Sequence, residues 1–322
     1  MIVAVTGASG YLGRAVAAEL VAAGHDVRTL QRRASGVEGV TDMQGSVTDA
    51  AAVARVLDGV EGVIHLAAKV SLAGDAAEFR AVNVEGTRTL LDEAERAGVR
   101  RFVNVSSPSV AHAGSALEGV GAEPASPKDA RGEYARTKAE AELLALGRDS
   151  AAMRVVVIRP HLVWGPGDTQ LVGRILDRAR RGRLPLLDGG RALIDSTYID
   201  NAATGLVAAL QRTEHAHGRA FVLTNGEPRP VGELLTSMCL ASGVRPPQWS
   251  LPAGVARAAG SLIERAWALR PGVDEPPMTR FLAEQLSTAH WFDQRETRRA
   301  LGWAPTVSID EGLRRLAAHA SR

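Results

Sequence analysis

The amino terminus constrains the fold more than any other stretch of this chain. Residues 2 to 6, Ile-Val-Ala-Val-Thr, form a short β-rich apolar run, and Gly7, Gly10 and Gly13 follow at once, opening a helix-period segment that ends at Gly24. That spacing permits a tight turn, a close approach of a pyrophosphate to the backbone, and tight packing of the helix on a sheet. The helix start adds N–H groups and a dipole that favour an anion. In a chain with 33 glycines the bare spacing carries little weight, since composition alone produces it somewhere with odds of about one in three. Its setting carries the weight, because strand, glycine turn and helix succeed one another without a gap. The feature predicts a dinucleotide-binding unit.

Strand-like runs at 26 to 30, 40 to 44, 62 to 66, 101 to 106 and 154 to 159 alternate with helical stretches at about 49 to 58, 77 to 97 and 132 to 147. Repeated βαβ units imply an α/β fold, a Rossmann-type doubly wound parallel sheet whose ligand crevice lies at the carboxyl ends of its strands. Beyond Pro160 the pattern is broken by Gly165-Pro166-Gly167, Gly189-Gly190, Pro246-Pro247 and Pro276-Pro277, which suits a smaller carboxy-terminal substrate domain. The dinucleotide-binding domain is expected at 1–160 and a mainly substrate-binding domain at 161–322, with a return strand near 220–224. Val255, Ala258, Ala259, Leu262, Ile263, Ala266 and Leu269 recur at helical spacing, predicting an amphipathic helix with a core-facing stripe.

Charge and cysteine content narrow the partners. Lys plus Arg is 38 against 36 for Asp plus Glu, a net charge of +2 that is too even for a nucleic-acid-binding surface. The single cysteine, Cys239, excludes an intrachain disulfide and suits a reducing compartment, so a cytoplasmic location is expected. No uninterrupted apolar run reaches about 18 residues, so no transmembrane segment is expected. No His, Asp, Glu or Cys group has metal-ligand spacing, which points to no metal. A small-molecule substrate is the expected partner; a homodimer and a complex with enzymes of the same pathway are left open.

NAD-selective proteins of this fold end the second strand with an acid on the ribose 2'-hydroxyl. Here that place reads Gln31-Arg32-Arg33. Two guanidinium groups suit a 2'-phosphate, so NADP(H) is preferred and NAD(H) is the alternative. Two surface arginines after a strand would look the same.

Lysine and tyrosine are rare in this chain, which makes Tyr134-Ala-Arg-Thr-Lys138 informative. With 3 Tyr and 3 Lys in 322 residues, about 0.03 such four-residue pairs arise by chance. The spacing puts a phenol and an ammonium on one helix face. The helix follows Ser106-Ser107 at the end of the predicted strand 101–106, where a nicotinamide would lie. A neighbouring ammonium is expected to lower the phenol pKa, making Tyr134 the proton donor and acceptor, with Lys138 tuning it and a serine holding the carbonyl oxygen.

With glycine turn, serine and Tyr-x-x-x-Lys in place, the chain resembles the extended short-chain dehydrogenase/reductases over essentially all of its 322 residues. The blocks that carry the resemblance include TGASGYLG at 6–13, IHLAA at 64–68, NVEGT at 83–87, VSSPSV at 105–110, RPHLVWGPGD at 159–168 and DSTYIDNAATG at 195–205. The resemblance implies a catalytic set of Ser107, Tyr134 and Lys138, with Ser106 the second choice of serine. It implies cofactor contacts from Thr6, Gly7, Gly10, Tyr11, Leu12 and Gly13, from Arg32 and Arg33, and from Ser46 and Val47, although the family often has Asp at the Ser46 place. Leu66, Ala67 and Ala68 would pass beside the ribose, Asn83 would brace the active-site backbone, and Tyr134, Lys138, Pro160, His161, Leu162 and Val163 would flank the nicotinamide.

The later blocks, among them EPPMTRFLAEQL at 275–286 and RRALGWAPTVSIDEGLRR at 298–315, look like the 3β-hydroxysteroid dehydrogenase branch. Within it they are most similar to the bacterial 2-alkyl-3-oxoalkanoate reductases of olefin biosynthesis. That implies an oxidoreductase acting on a 3-oxo or 3-hydroxy group of a bulky apolar substrate. Ser109, His161, Trp164, Leu186 and Trp249 are the candidate substrate residues; Leu162, Val163, Leu187, Leu251, Trp267 and Leu269 also suit a greasy pocket, although apolar side chains default to core. His161 serves equally well as a satisfied crevice histidine, and His65 reads as structural. A steroid or sterol-carboxylate dehydrogenase, a sugar-nucleotide epimerase or dehydratase on retained NAD, and a non-catalytic NADP-binding redox sensor are the competing readings. Arg32 and the apolar later half speak against the second, and the retained Tyr134 and Lys138 against the third.

Overall fold

The computed structural model describes residues 1–71, 74–112, 114–268 and 280–321, with the backbone alone at 264–268 and 280–282. Seven strands, β1 (Ile2–Thr6), β2 (Asp26–Gln31), β3 (Val40–Gln44), β4 (Gly62–His65), β5 (Arg101–Val105), β6 (Arg154–Pro160) and β7 (Arg219–Leu223), form one sheet in the order β7-β6-β5-β4-β1-β2-β3. Every neighbouring pair is parallel. The chain reverses its direction of winding between β1 and β4, and a sheet of this kind opens its ligand crevice at the carboxyl ends beside that switch.

The strands are apolar runs because both faces of the sheet are covered. Val3 and Val5 join Val16, Ala17 and Leu20 of helix Tyr11–Ala22 and Leu206 and Leu210 of helix Ile199–Gln211 in one core. Ala4, Val63 and Phe102 point the other way, into a second core with Val53 and Val56 of helix Ala50–Leu57 and Leu90 and Leu91 of helix Gly86–Arg96. Period-two alternation thus divides each strand between two layers of helices. Asp49 starts the helix at Ala50 by accepting the N–H groups of Ala51 and Ala52.

The return strand lies at β7, beside β6. The covering part contains a second sheet of short strands, Arg229–Pro230, Leu193–Ile194, His290–Phe292 and Leu117–Val120. Its member at 117–120 precedes Tyr134 in the chain, so the two halves interleave and residue 160 is no clean boundary. The amphipathic helix forms at Ala253–Ala268, but its stripe is not core-facing as expected. Ala253 and Ala256 are buried while Val255 and Leu262 stand 53% and 66% exposed, because small residues pack closest to the neighbouring helix. Leu269, Pro276-Pro277 and the Trp267 side chain lie outside the described residues. Among those described, no helix is long and apolar enough to cross a membrane.

Candidate active site

The carboxyl end of β5 runs into Ser106 and Ser107, then into a single 3-10 turn at Pro108–Ala111. Ser106 is buried and its hydroxyl has no partner, so the two serines are not equivalent. Ser107 caps the turn: its Oγ accepts the Ser109 N–H at 3.3 Å and the Ser109 hydroxyl at 3.0 Å. Across the crevice, helix Gly132–Leu146 carries Tyr134, Lys138 and Glu142 at successive four-residue steps, one stripe on one face. Lys138 Nζ donates to the Val105 carbonyl at 2.6 Å, which ties this helix to the end of β5. Burial pushes the Lys138 ammonium down to about 8, against the opposing pull of Glu142.

The phenol does not follow the expectation. Burial raises the Tyr134 pKa, and the moderating influence is a hydrogen bond with Ser107 rather than the Lys138 ammonium. A buried phenol is costly to ionise, so this geometry keeps Tyr134 protonated and suits it to giving a proton.

Two residues that the sequence alone does not bring together meet at the end of this stripe. Glu142 and Arg159 form a bidentate ion pair at 2.5 and 3.0 Å with both side chains buried, and Arg159 Nη1 also donates to the Glu123 carbonyl at 2.7 Å. The four-residue step from Lys138 to Glu142 was legible; the partner strand residue was not. Asn83 sits in a π-helical turn, Ala81–Glu85, inside the helical stretch predicted at 77–97. Its Oδ1 accepts the Lys69 N–H at 2.7 Å and its Nδ2 donates to the Lys69 carbonyl and to Thr137 Oγ1, so it clamps a backbone segment to the Tyr134 helix. A local extra residue per turn is a common device where a helix must aim a side chain at a site.

At the glycine turn, Gly7 has φ +77°, and a Cβ on Gly13 would lie 2.2 Å from the Gly7 carbonyl oxygen. Gly10 caps the following helix without a side-chain hydrogen bond, leaving its first-turn N–H groups to a ligand. Tyr11 faces away from that turn and donates to the Pro166 carbonyl at 3.2 Å. Thr6 is fully buried: its side chain pairs with His65 Nδ1 at 2.7 Å and accepts the Ala67 N–H at 3.1 Å, so it braces the Leu66 to Ala68 segment. His65 is completed by Thr87 at 2.9 Å, a structural role as expected. Ser46 turns to Thr48 at 2.8 Å, and the Val47 side chain packs in the core.

Arg32 and Arg33 are exposed just past β2. A carboxylate on the neighbouring strand is bonded to the loop that follows them. Asp42 of β3 accepts from Thr29 Oγ1 at 2.5 Å, Gln31 Nε2 at 2.8 Å and the Ser35 N–H at 2.9 Å. Those donors hold the Asp42 carboxyl below its usual range and fold the 32–35 loop onto the strand ends. Gln31 Oε1 is buried with no donor. The uncapped helix start fits a pyrophosphate, and the unpaired Gln31 oxygen can accept a hydroxyl donor such as a ribose supplies.

The substrate residues are less coherent. Trp164 is fully buried, donates to Ser196 Oγ at 3.0 Å and packs edge-on against Tyr198, which makes it core and not pocket wall. Ser109 spends its hydroxyl on Ser107. Trp249 is 48% exposed and its carbonyl pairs with the Leu186 N–H; Leu186 lines a separate cleft of about 410 Å³ with Gly190, Arg191 and Thr236. His161 follows Pro160 at the carboxyl end of β6, with Nδ1 2.6 Å from the Asp195 carbonyl oxygen. Leu162 then takes a left-handed backbone at φ +43°, which turns the chain away from β6. His161, His290 and His112 form a buried row, the last two with Nε2 and Nδ1 3.4 Å apart. Among the described residues no group of His, Cys, Asp or Glu is placed to hold a metal ion.

Comparison with known proteins agrees with this geometry. The pattern of the NAD dependent epimerase/dehydratase family matches residues 3–224. A 2-alkyl-3-oxoalkanoate reductase of Stenotrophomonas maltophilia is 40% identical, with 99% of each chain covered. A 3 beta-hydroxysteroid dehydrogenase/Delta 5-->4-isomerase of Mycobacterium tuberculosis is 31% identical over 97% of this chain and 88% of its own. Among solved structures, a short-chain dehydrogenase/reductase superfamily protein of Agrobacterium tumefaciens with bound NAD superposes with a TM-score of 0.77 at 25% identity, covering 100% of this chain and 97% of that one.

Proposed function

Because this chain belongs to the NAD dependent epimerase/dehydratase family, the extended short-chain dehydrogenase/reductases, and is an NAD(P)-dependent oxidoreductase, we propose that it reduces 2-alkyl-3-oxoalkanoates to 3-hydroxy acids with NADPH. The observation that carries the reaction type is the convergence of Ser107, Tyr134 and buried Lys138 at the carboxyl end of β5. The whole-length likeness to a 2-alkyl-3-oxoalkanoate reductase supports the substrate class.

Bound cofactor supplies a hydride to C3. Ser107 holds the carbonyl oxygen, and Tyr134 gives it the phenolic proton as the C=O double bond becomes a C–O single bond. The hydrogen bond from Ser107 favours the phenolate left behind, and Lys138, charged below about pH 8, ties the Tyr134 helix to the end of β5 through the Val105 carbonyl. The single buried Cys239 supports placing this chemistry in the reducing cytoplasm.

NADP preference rests on Arg32 and Arg33. With charge-assisted contacts worth roughly 1.5 to 3 kcal/mol each, NADPH is expected to bind at least about tenfold more tightly than NADH, and Arg32→Asp to erase or reverse the difference. Equal dissociation constants for both cofactors on the unaltered protein would refute the assignment.

The substrate class is best read in the oxidative direction, since β-keto acids lose CO2 on their own. Stable 2-alkyl-3-hydroxy acids should be oxidised with NADP, with kcat/KM rising several-fold per added methylene at about 0.8 kcal/mol each until the site is full. Inert hydroxy acids beside an oxidised 3-hydroxysteroid would replace this reading with the steroid one, which the Mycobacterium tuberculosis relative makes the specific competitor.

A further inference from the structure

We propose that Ser109 is a positioning residue for the reduction: its hydroxyl fixes Ser107 so that the Ser107 hydroxyl acts only as a hydrogen-bond donor to the reacting oxygen. The inference rests on the ketoreductase reading and on a count of lone pairs. A serine oxygen has two acceptor sites and one proton. Both acceptor sites of Ser107 are taken from within the same 3-10 turn, one by the Ser109 N–H at 3.3 Å and one by the Ser109 Oγ–H at 3.0 Å. The group left to face the crevice is the Ser107 proton. Pro108 between the two serines holds the turn at the backbone angle this arrangement needs.

The hydroxyls therefore form a chain with one sense, from Ser109 to Ser107 and on to the Tyr134 oxygen, whose place as acceptor the substrate oxygen takes when it binds. Each bond polarises the next, and the outermost proton becomes the better donor. During reduction, negative charge grows on the substrate oxygen, and a preset donor there stabilises the transition state more than the ground state. In oxidation the substrate hydroxyl finds no acceptor on Ser107, and its proton passes to Tyr134 once that phenol has lost its own. Sequence reasoning placed Ser109 against the substrate; its hydroxyl is instead committed one bond further back.

A double-mutant cycle on Ser107→Ala and Ser109→Ala tests this. The assay is oxidation with NADP of whichever alcohol the wild type accepts, a 2-alkyl-3-hydroxy acid or a 3-hydroxysteroid, so that failure of the substrate reading leaves the cycle intact. Ser109→Ala is expected to lower kcat about tenfold, with KM and the NADP dissociation constant changed less than about twofold. Ser109→Thr, which keeps the hydroxyl, should restore most of the rate. In the Ser107→Ala background the second substitution should cost less than about twofold, because its only route of action is gone. Multiplying losses in the double variant, a rise in KM in place of the fall in kcat, or full activity of Ser109→Ala would each overturn the proposal.

Discussion

Tyr134→Phe is expected to slow turnover by at least about 100-fold while NADP binding stays close to normal. The substitution removes one oxygen and keeps the ring, so the packing of helix Gly132–Leu146 on the sheet is retained. Burial raises the phenol pKa, which means that at neutral pH the site holds a proton ready to be given rather than a phenolate. What is lost is the proton donor, and no other described group shares its place beside Ser107 on the Lys138 stripe. Single-turnover rates with pre-bound cofactor would separate this from a binding defect. A rate within a few-fold of the wild type would show that another acid serves.

Stability is expected to fall steeply as pH drops from about 6.5 toward 4. Burial pushes His65 down to about 3, His161 to about 4 and His290 to about 3, and His112 is lowered as well. Each is neutral when folded and takes a proton when unfolded. Their contribution is therefore fully present above the unfolded pKa near 6.5 and is lost as pH falls through the window toward the folded values. Asp195, raised to about 6 by burial, works in the opposite sense between about pH 4 and 6, because its folded form keeps a proton longer than the unfolded one. Histidines outnumber it, leaving a net slope of roughly 2 to 3 kcal/mol per pH unit. Between about pH 6.5 and 4.5 that removes about 4 to 6 kcal/mol, comparable to the lower end of the usual stability of about 5 to 15 kcal/mol. Urea unfolding at pH 7, 6 and 5 measures the slope, and a free energy constant across that range would contradict it.

How much of this was legible in the sequence depends on how local the cause is. The glycine turn was visible because each glycine answers a backbone demand within seven residues: Gly7 takes positive φ, and Gly13 admits no Cβ against the Gly7 carbonyl. The Tyr134–Lys138 pair was visible because helix geometry alone brings i and i+4 together. The strands were visible as apolar runs, since a parallel sheet covered on both faces leaves few polar positions.

Contacts between segments distant in the chain were decided by tertiary structure. Asp42 meets Gln31 and Ser35 only because β2 and β3 pair in register, so a carboxylate ties down the loop that follows Arg32. Arg159 finds Glu142 only because β6 passes beneath the Tyr134 helix. Trp164 looked like pocket wall and became core, since large apolar side chains carry no mark in the sequence for which surface they will face.

The sequence by itself determined the sheet, its crevice and the residues proposed to do chemistry there, through spacings that local backbone geometry enforces. Only the tertiary structure decided the surroundings: which serine is left without a partner, which way the phenol pKa moves, and which histidines are buried. Those depend on desolvation and on hydrogen-bond partners, which belong to the assembled fold and not to any single stretch of chain.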